Sequence, residues 1–256
     1  MSYTISININ LKNNMNNEST KNLLIESGLN LNLINYYFDY DLEGINNHIK
    51  KNNEIIIIEF EELTNIIDYI NQIKRFPFIK IKVDNKNAVS FVKSIAKFTD
   101  KPLRVDGNEA WESLEEYLFF ENEVKDLNIQ FIEQPFPSTR VDLYTQLKSI
   151  SKFDIMGDES IEDNADFEKL SLQFHSINIK LMKASGYYNA IFLLKEAKKY
   201  KLKTMIGCMI ETSVGISSAI QLSSLADYFD LDGSLLLKND PYNKFIEKNG
   251  QLSLKN

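Results

Sequence analysis

Five charged residues close five short apolar runs along this chain, and they recur at nearly constant intervals. Lys82, Asp106, Glu133, Asp158 and Lys180 are separated by 24, 27, 25 and 22 residues, about the length of one strand, one helix and their loops. The runs they end are rich in β-branched residues, and the segments between them are amphipathic. That alternation predicts strands at 54–60, 78–83, 103–106, 129–133, 154–158, 177–180, 204–208 and 229–235. Helices are predicted at 62–74, 88–98, 112–125, 167–174, 188–200 and 213–226. Eight strands with intervening helices imply an α/β fold, a TIM-like barrel of the (β/α)7β type, over residues 54–256. In a parallel barrel every strand opens its C-terminal end onto one face, so polar residues far apart in sequence converge on one rim.

Residues 1–53 read differently. They hold 14 asparagines and no arginine, an alternating strand-like start at 3–9 and an apolar stretch at 23–38. They read as a small, loosely specified appendage, whose apolar stretch could make one or two helices.

Composition removes several classes of function. The net charge is −7, which argues against nucleic acid, since affinity for a phosphate backbone needs clustered Lys and Arg. None of the nine glycines is spaced as GxGxxG or GxxxxGK, so nucleotide-phosphate loops are unsupported. The longest aliphatic run, Ile55 to Ile58, is far too short to span a bilayer, and the first ten residues lack a basic stretch followed by an apolar one. A single cysteine, Cys208, fits a reducing compartment, and a cytoplasmic location is expected. Two histidines, His48 and His175, sit in unrelated segments, which leaves little material for a histidine-rich zinc site or a Ser-His-Asp triad. Chemistry here falls to lysines and carboxylates.

Asp106, Glu133 and Asp158 make a hard, all-oxygen donor set without His or Cys, which suits Mg²⁺ with positions left for substrate oxygens. Clustered carboxylates also repel one another unless a cation holds them together. Lys80 and Lys82 alternate by two and share one face of their strand. An amine that acts as a base near neutral pH must titrate at ~7–8 rather than ~10.4. A neighbouring ammonium, a nearby cation and partial desolvation all act in that direction. Two such amines flanking one carbon can take a proton from one side and deliver another from the opposite side.

The series Lys80-Ile81-Lys82, Val105-Asp106-Gly107-Asn108, Ile132-Glu133-Gln134-Pro135, Gly157-Asp158-Glu159-Ser160 and Asn178-Ile179-Lys180-Leu181-Met182-Lys183 resembles the enolase superfamily, muconate-lactonizing subgroup. The stretches Gly207-Cys208-Met209-Ile210-Glu211-Thr212-Ser213 and Asp230-Leu231-Asp232-Gly233 resemble its dipeptide epimerase branch, of the L-Ala-D/L-Glu epimerase type. The resemblance covers about residues 54–240. It implies Mg²⁺ on Asp106, Glu133 and Asp158, with Lys82 and Lys180 as the opposed acid/base pair. It further implies 1,1-proton transfer through an enolate that the metal and Lys80 stabilise, with Asp230 and Asp232 binding the α-ammonium of a dipeptide substrate. Two carboxylates at alternating positions suit an ammonium on first principles as well.

Set against that family, residues 1–53 correspond to a reduced N-terminal α+β cap. Relatives use a larger cap to close over the rim and read the substrate's side chain. The only arginines here are Arg75, Arg104 and Arg140, none of them in that segment, so no cap arginine is there to meet an acidic substrate side chain. Two alternatives stand beside epimerisation. One is another reaction of the subgroup, o-succinylbenzoate synthesis or cycloisomerisation, whose substrates lack the ammonium that Asp230 and Asp232 would bind. The other is a non-catalytic barrel that retains only binding. The resemblance allows a homo-oligomer without requiring one.

Among the remaining features, Cys208 reads as a small buried residue rather than a nucleophile, and Trp111 as packing against a helix start. The lysines at 195, 198, 199, 201 and 203 read as a solvated face near a helix end. Lys183 falls in the turn after Lys180.

Overall fold

The computed structural model describes residues 76–248 and 250–255. The expected strand at 54–60, the helix at 62–74 and the segment 1–53 lie outside the described residues. Seven strands form one parallel sheet in sequential order: β1 (Ile79–Lys82), β2 (Leu103–Asp106), β3 (Ile129–Glu133), β4 (Ile155–Gly157), β5 (Ser176–Lys180), β6 (Lys203–Gly207) and β7 (Tyr228–Asp230). The helices between them are α1 (Ala88–Ala96), α2 (Leu114–Val124), α3 (Val141–Ile150), α4 (Phe167–Gln173), α5 (Tyr187–Lys199) and α6 (Ser213–Ile220). Among the described residues no helix is long and apolar enough to cross a membrane.

Each strand is apolar on one face and chemically mixed on the other. Ile79 and Ile81 of β1 are fully buried, while Lys80 and Lys82 project from the opposite face. Helix faces such as Phe91, Val92 and Ile95 of α1, Tyr117, Phe120 and Val124 of α2, and Leu193, Leu194 and Ala197 of α5 are buried. The inner face carries a smaller apolar layer of Phe131, Met156 and Met205, with Tyr228 packed against it.

The sheet curls until its end strands face each other across this interior. Arg104 of β2 donates 2.7 Å to the carbonyl of Phe229 on β7, and its guanidinium lies 3.4 Å from the centre of the Phe78 ring. Lys80 of β1 stands 3.0 Å from Asp230 Oδ2 on β7. Both contacts require the first and last of these strands to share one enclosed space, as in the barrel that the sequence predicts.

Several boundaries differ from the expectation. The strand expected at 229–235 is only Tyr228–Asp230, and Gly233–Leu236 turns into a 3-10 helix, because Asp232-Gly233 bends the chain back against the end of β6. A Cβ on Gly233 would collide with the Met209 carbonyl oxygen, so only glycine permits that approach. The helix expected to reach residue 226 stops at Ile220 and is followed by a short 3-10 turn, Ser223–Leu225. Helix α3 is absent from the sequence expectation, although Leu143, Tyr144 and Leu147 form its buried stripe. So is the antiparallel pair β8 (Phe245–Lys248) and β9 (Gln251–Leu254).

The lysine-rich patch is as expected: all five side chains are exposed, with Lys199 paired to Glu196 and Lys203 to Asp154. Trp111 is buried against Tyr117 and Phe120 of α2, again as expected.

Candidate active site at the strand ends

The ladder register lines up the polar strand ends. Lys82 pairs with Asp106, and Asp106 pairs in turn with Glu133. On the other side Lys180 pairs with Gly207, and Gly207 with Asp230. Asp158 lies just beyond β4, two residues past Met156, the partner of Glu133.

Lys80 is the centre of the first cluster. The residue is 5% exposed, and its ammonium lies 3.0 Å from Asp106 Oδ2, 2.9 Å from Glu133 Oε2 and 3.0 Å from Asp230 Oδ2. Burial favours the neutral amine, but Asp106, Asp230, Glu133 and Asp158 outweigh it and hold the Lys80 pKa well above the ordinary range. One ammonium does not satisfy three acids. Burial, joined by Asp106 and Asp158 and opposed by Lys80, pushes Glu133 up to about 8. Its Oε2 receives no hydrogen bond despite the nearby ammonium.

Asp158 belongs to a second cluster. Lys180 Nζ lies 2.6 Å from its Oδ2 and Lys183 Nζ 3.0 Å from its Oδ1, and Lys183 also donates to the Asp158 carbonyl. Burial would raise the Asp158 carboxyl, but Lys180 and Lys183 hold it at about 2. Lys180 is desolvated, yet the opposing Asp158 leaves it raised above its ordinary value. Lys183, which the sequence left without a role, therefore grips the same carboxylate as Lys180. The side-chain amine of Lys82, half-buried on β1, makes no hydrogen bond or ion pair among the described residues.

Asp232 sits just past β7. Its Oδ2 is buried without a hydrogen-bond partner, and burial, followed by the charge of Asp230, pushes the carboxyl up to about 7. The Cys208 thiol lies 4.0 Å from Asp232 Oδ1 and accepts from the Gly233 amide at 3.3 Å. Cys208 is half-buried rather than buried, and desolvation of its thiol raises the thiol above its normal range, which disfavours the thiolate form.

Two supporting residues stand in the sequence motifs without a role assigned to them, Asn178 and Gln134. Asn178 Nδ2 donates 2.8 Å to Glu133 Oε1. It precedes Lys180 by two and so shares its face, the same spacing that singled out Lys80 and Lys82. Gln134, fully buried, joins the end of β3 to the end of β4 through its side-chain amide.

Among the described residues no three acidic, His or Cys groups are arranged to hold a metal ion, and the three acids that do converge, Asp106, Glu133 and Asp230, surround the Lys80 ammonium. Asp106 and Glu133 converge on Lys80, whereas Asp158 turns to Lys180 and Lys183. The donors still suit Mg²⁺ in kind: all are carboxylate oxygens, and Glu133 carries a buried oxygen that receives no hydrogen bond.

Residues 67–247 match the sequence profile of the Enolase C-terminal domain-like family. The chain is 41% identical over 186 residues to an L-Ala-D/L-amino acid epimerase of Pedosphaera parvula, covering 70% of this chain and 53% of that protein. It is 35% identical over 179 residues to an L-Ala-D/L-Glu epimerase of Bacteroides thetaiotaomicron, covering 70% and 47%. The chain thus spans about half the length of the curated relatives it matches. Among solved structures, a substrate-liganded L-Ala-D/L-Glu epimerase of Bacillus subtilis superposes with a TM-score of 0.72 at 27% identity, covering 79% of this chain and 60% of that one. A dipeptide epimerase of Methylococcus capsulatus, complexed with Mg and the dipeptide L-Arg-D-Lys, gives 0.71 at 28%, covering 79% and 61%.

Proposed function

The chain belongs to the Enolase C-terminal domain-like family, and on that premise we propose that it is a cytoplasmic, Mg²⁺-dependent epimerase of dipeptides working by 1,1-proton transfer. The observation that carries this reading is the pair of adjoining clusters at the strand ends, Lys80 among Asp106, Glu133 and Asp230, and Lys180 on Asp158. The activities named for the relatives, and the Mg and dipeptide in the Methylococcus capsulatus complex, support it. The division into a cap at 1–53 and a catalytic barrel at 54–256 is part of the same reading.

Asp106, Glu133 and Asp158 are the residues that would hold Mg²⁺, which when bound supplies Lewis-acid stabilisation of negative charge growing on the substrate carboxylate. Lys82 on β1 and Lys180 on β5 are four strands apart around the sheet, which suits amines assigned to opposite faces of the substrate's α-carbon. One, as the free amine, takes the α-proton; the other, as the ammonium, delivers a proton to the opposite face and the centre inverts. Lys80 supplies a fixed positive charge and donor hydrogens where the carboxylate becomes electron-rich.

Asp230 and Asp232 take the substrate's α-ammonium. The unpartnered Oδ2 of Asp232 supports that assignment, because a buried carboxylate oxygen without a donor is costly until a cation reaches it. It also favours a dipeptide over the substrates of o-succinylbenzoate synthesis or cycloisomerisation, which bring no ammonium.

The test is to incubate the full chain with Mg²⁺ and a panel of L,L-dipeptides in D₂O and follow α-proton exchange and epimer formation by NMR. Exchange with inversion for at least one dipeptide is expected. Protein that binds Mg²⁺ yet exchanges no α-proton across the panel would sink this reading in favour of a binding barrel.

A further inference from the structure

The ends of β3 and β4 are joined by one buried side chain, that of Gln134. β3 and β4 are paired only through Ile132 with Ile155 and Glu133 with Met156. Past that point the ladder ends, and Asp158 lies beyond it. The Gln134 main-chain amide still donates to the Met156 carbonyl at 2.8 Å. From there its side chain takes over: Gln134 Oε1 accepts from the Asp158 amide at 2.8 Å and from the Ser160 amide at 3.3 Å.

The orientation of that amide is fixed from its other end. Gln134 Nε2 donates to Tyr144 Oη at 2.7 Å and to Ser160 Oγ at 2.8 Å, with the Phe136 carbonyl at 3.3 Å. Tyr144 is itself held, accepting from the Phe136 amide at 3.0 Å and donating to the Phe136 carbonyl. Reversing the Gln134 amide would set its NH₂ against two main-chain N–H groups and its oxygen against the Phe136 carbonyl, so one orientation is enforced. The residue also stands at φ 38°, a left-handed conformation uncommon for side chains other than Gly, Asn and Asp. Such backbone persists where the surroundings hold it. Here it turns the chain after Glu133 so that the next side chain reaches back to β4.

We propose that Gln134 is a positioning residue that sets the placement of the Asp158 main chain relative to Glu133, and with it the geometry of the two carboxylates as a metal-binding pair. The inference rests on the assignment of Asp106, Glu133 and Asp158 as the Mg²⁺ donors. It adds that the fixed point between two of them is the Gln134 amide, anchored by Tyr144 of α3. Groups behind metal-binding carboxylates commonly change affinity by roughly 10- to 100-fold when removed.

The experiment titrates the full chain with Mn²⁺ alone, without dipeptide, following the loss of free-ion EPR signal, and records thermal unfolding of each variant in parallel. Gln134→Met keeps length and burial but removes both ends of the amide; a roughly 10- to 100-fold weaker Mn²⁺ Kd is expected. Tyr144→Phe removes only the oxygen that anchors Nε2; a loss of about fivefold is expected. Leu147→Ala, in the same helix and fully buried, lowers stability without touching the amide and is expected to leave the Kd unchanged. Wild-type affinity in both Gln134→Met and Tyr144→Phe overturns the proposal. So does a loss in Leu147→Ala as large as in Gln134→Met, which would mark a general loosening. Should Gln134→Met fail to fold, Tyr144→Phe decides alone, a loss supporting the assignment and wild-type affinity overturning it. Failure of the epimerase reading is separately visible, as wild-type protein that binds Mn²⁺ but exchanges no dipeptide α-proton.

Discussion

Lys180 Nζ stands 2.6 Å from Asp158 Oδ2, whereas Lys82 across the sheet has no such partner among the described residues. The two amines assigned to one proton transfer thus sit in unlike surroundings. One is a buried ion pair whose ammonium form is favoured by Asp158, the other an amine facing the rim.

This asymmetry separates the half-reactions. With Lys82→Ala, inversion is expected to fall by at least about 10³-fold, within the usual range for removing a general acid/base. The epimer whose α-proton faces Lys180 still exchanges that proton with D₂O without inverting. Lys180→Ala gives the mirror result, with exchange kept only for the other epimer. Proton NMR of each pure epimer in D₂O reads both. Equal exchange of both epimers in either variant would show that the amines do not occupy opposite faces.

Gly207 gives a second expectation. A Cβ there would collide with Asn178 Oδ1, so Gly207→Ala must displace the amide that donates to Glu133 Oε1. The pair is fully enclosed, and overpacking of this kind costs about 1–3 kcal/mol. Urea unfolding of Gly207→Ala is expected to show a loss in that range. Dipeptide kcat/KM is expected to fall about 10²-fold, through misplacement of Glu133. A variant with wild-type activity would mean that the Asn178 contact does not set the Glu133 position.

The parts of the fold legible from sequence are those with a strong local signature. Lys82, Asp106 and Glu133 can be read as strand ends because each closes an apolar run, and the observed register sets them side by side. Helix α3 escapes such a reading because Pro135 and Pro137 break the pattern just before it, and its buried stripe, Leu143, Tyr144 and Leu147, is brief. Asn178 and Gln134 are hidden for a different reason. A buried amide is defined by its partners, and Tyr144, Ser160 and Asp158 come from other elements. The pairing of Asp158 with Lys183 is likewise tertiary, since the two are 25 residues apart.

Asp232 links function to stability through pH. Its carboxyl is pushed up to about 7 by burial and then by Asp230, against about 3.9 in an unfolded chain. A group with a raised folded pKa contributes fully below the unfolded value, and that contribution is lost as pH rises through the folded one. Asp232→Asn is therefore expected to match wild type in stability near pH 4 and to exceed it at pH 8 by on the order of 2–4 kcal/mol. The same variant is expected to raise the dipeptide KM by about tenfold or more through loss of a charged contact to the ammonium. Urea unfolding at the two pH values and steady-state kinetics measure the two effects. A variant less stable than wild type at pH 8 would remove the case for an uncompensated carboxylate.

His175 lies away from the rim and gives a dependence of opposite sign. Its Nδ1 accepts the Ile155 amide at 3.0 Å, at the first residue of β4, while the His175 amide donates to the Ile155 carbonyl at 2.9 Å. A protonated imidazole carries hydrogens on both nitrogens and has no lone pair for that contact. Burial lowers the His175 pKa below the ordinary value of 6.5, so the unfolded chain binds the proton more readily than the fold does. The contribution is complete above 6.5 and is lost as pH falls from there through the folded pKa. In His175→Asn the side-chain Oδ1 takes nearly the position of Nδ1 and accepts the same hydrogen bond without titrating. This variant is expected to lose less stability than wild type between pH 7.5 and 5. Parallel denaturation curves at those pH values measure the difference. An identical decline in both proteins would place the acid sensitivity on other groups and remove His175 from the account of how β4 is held.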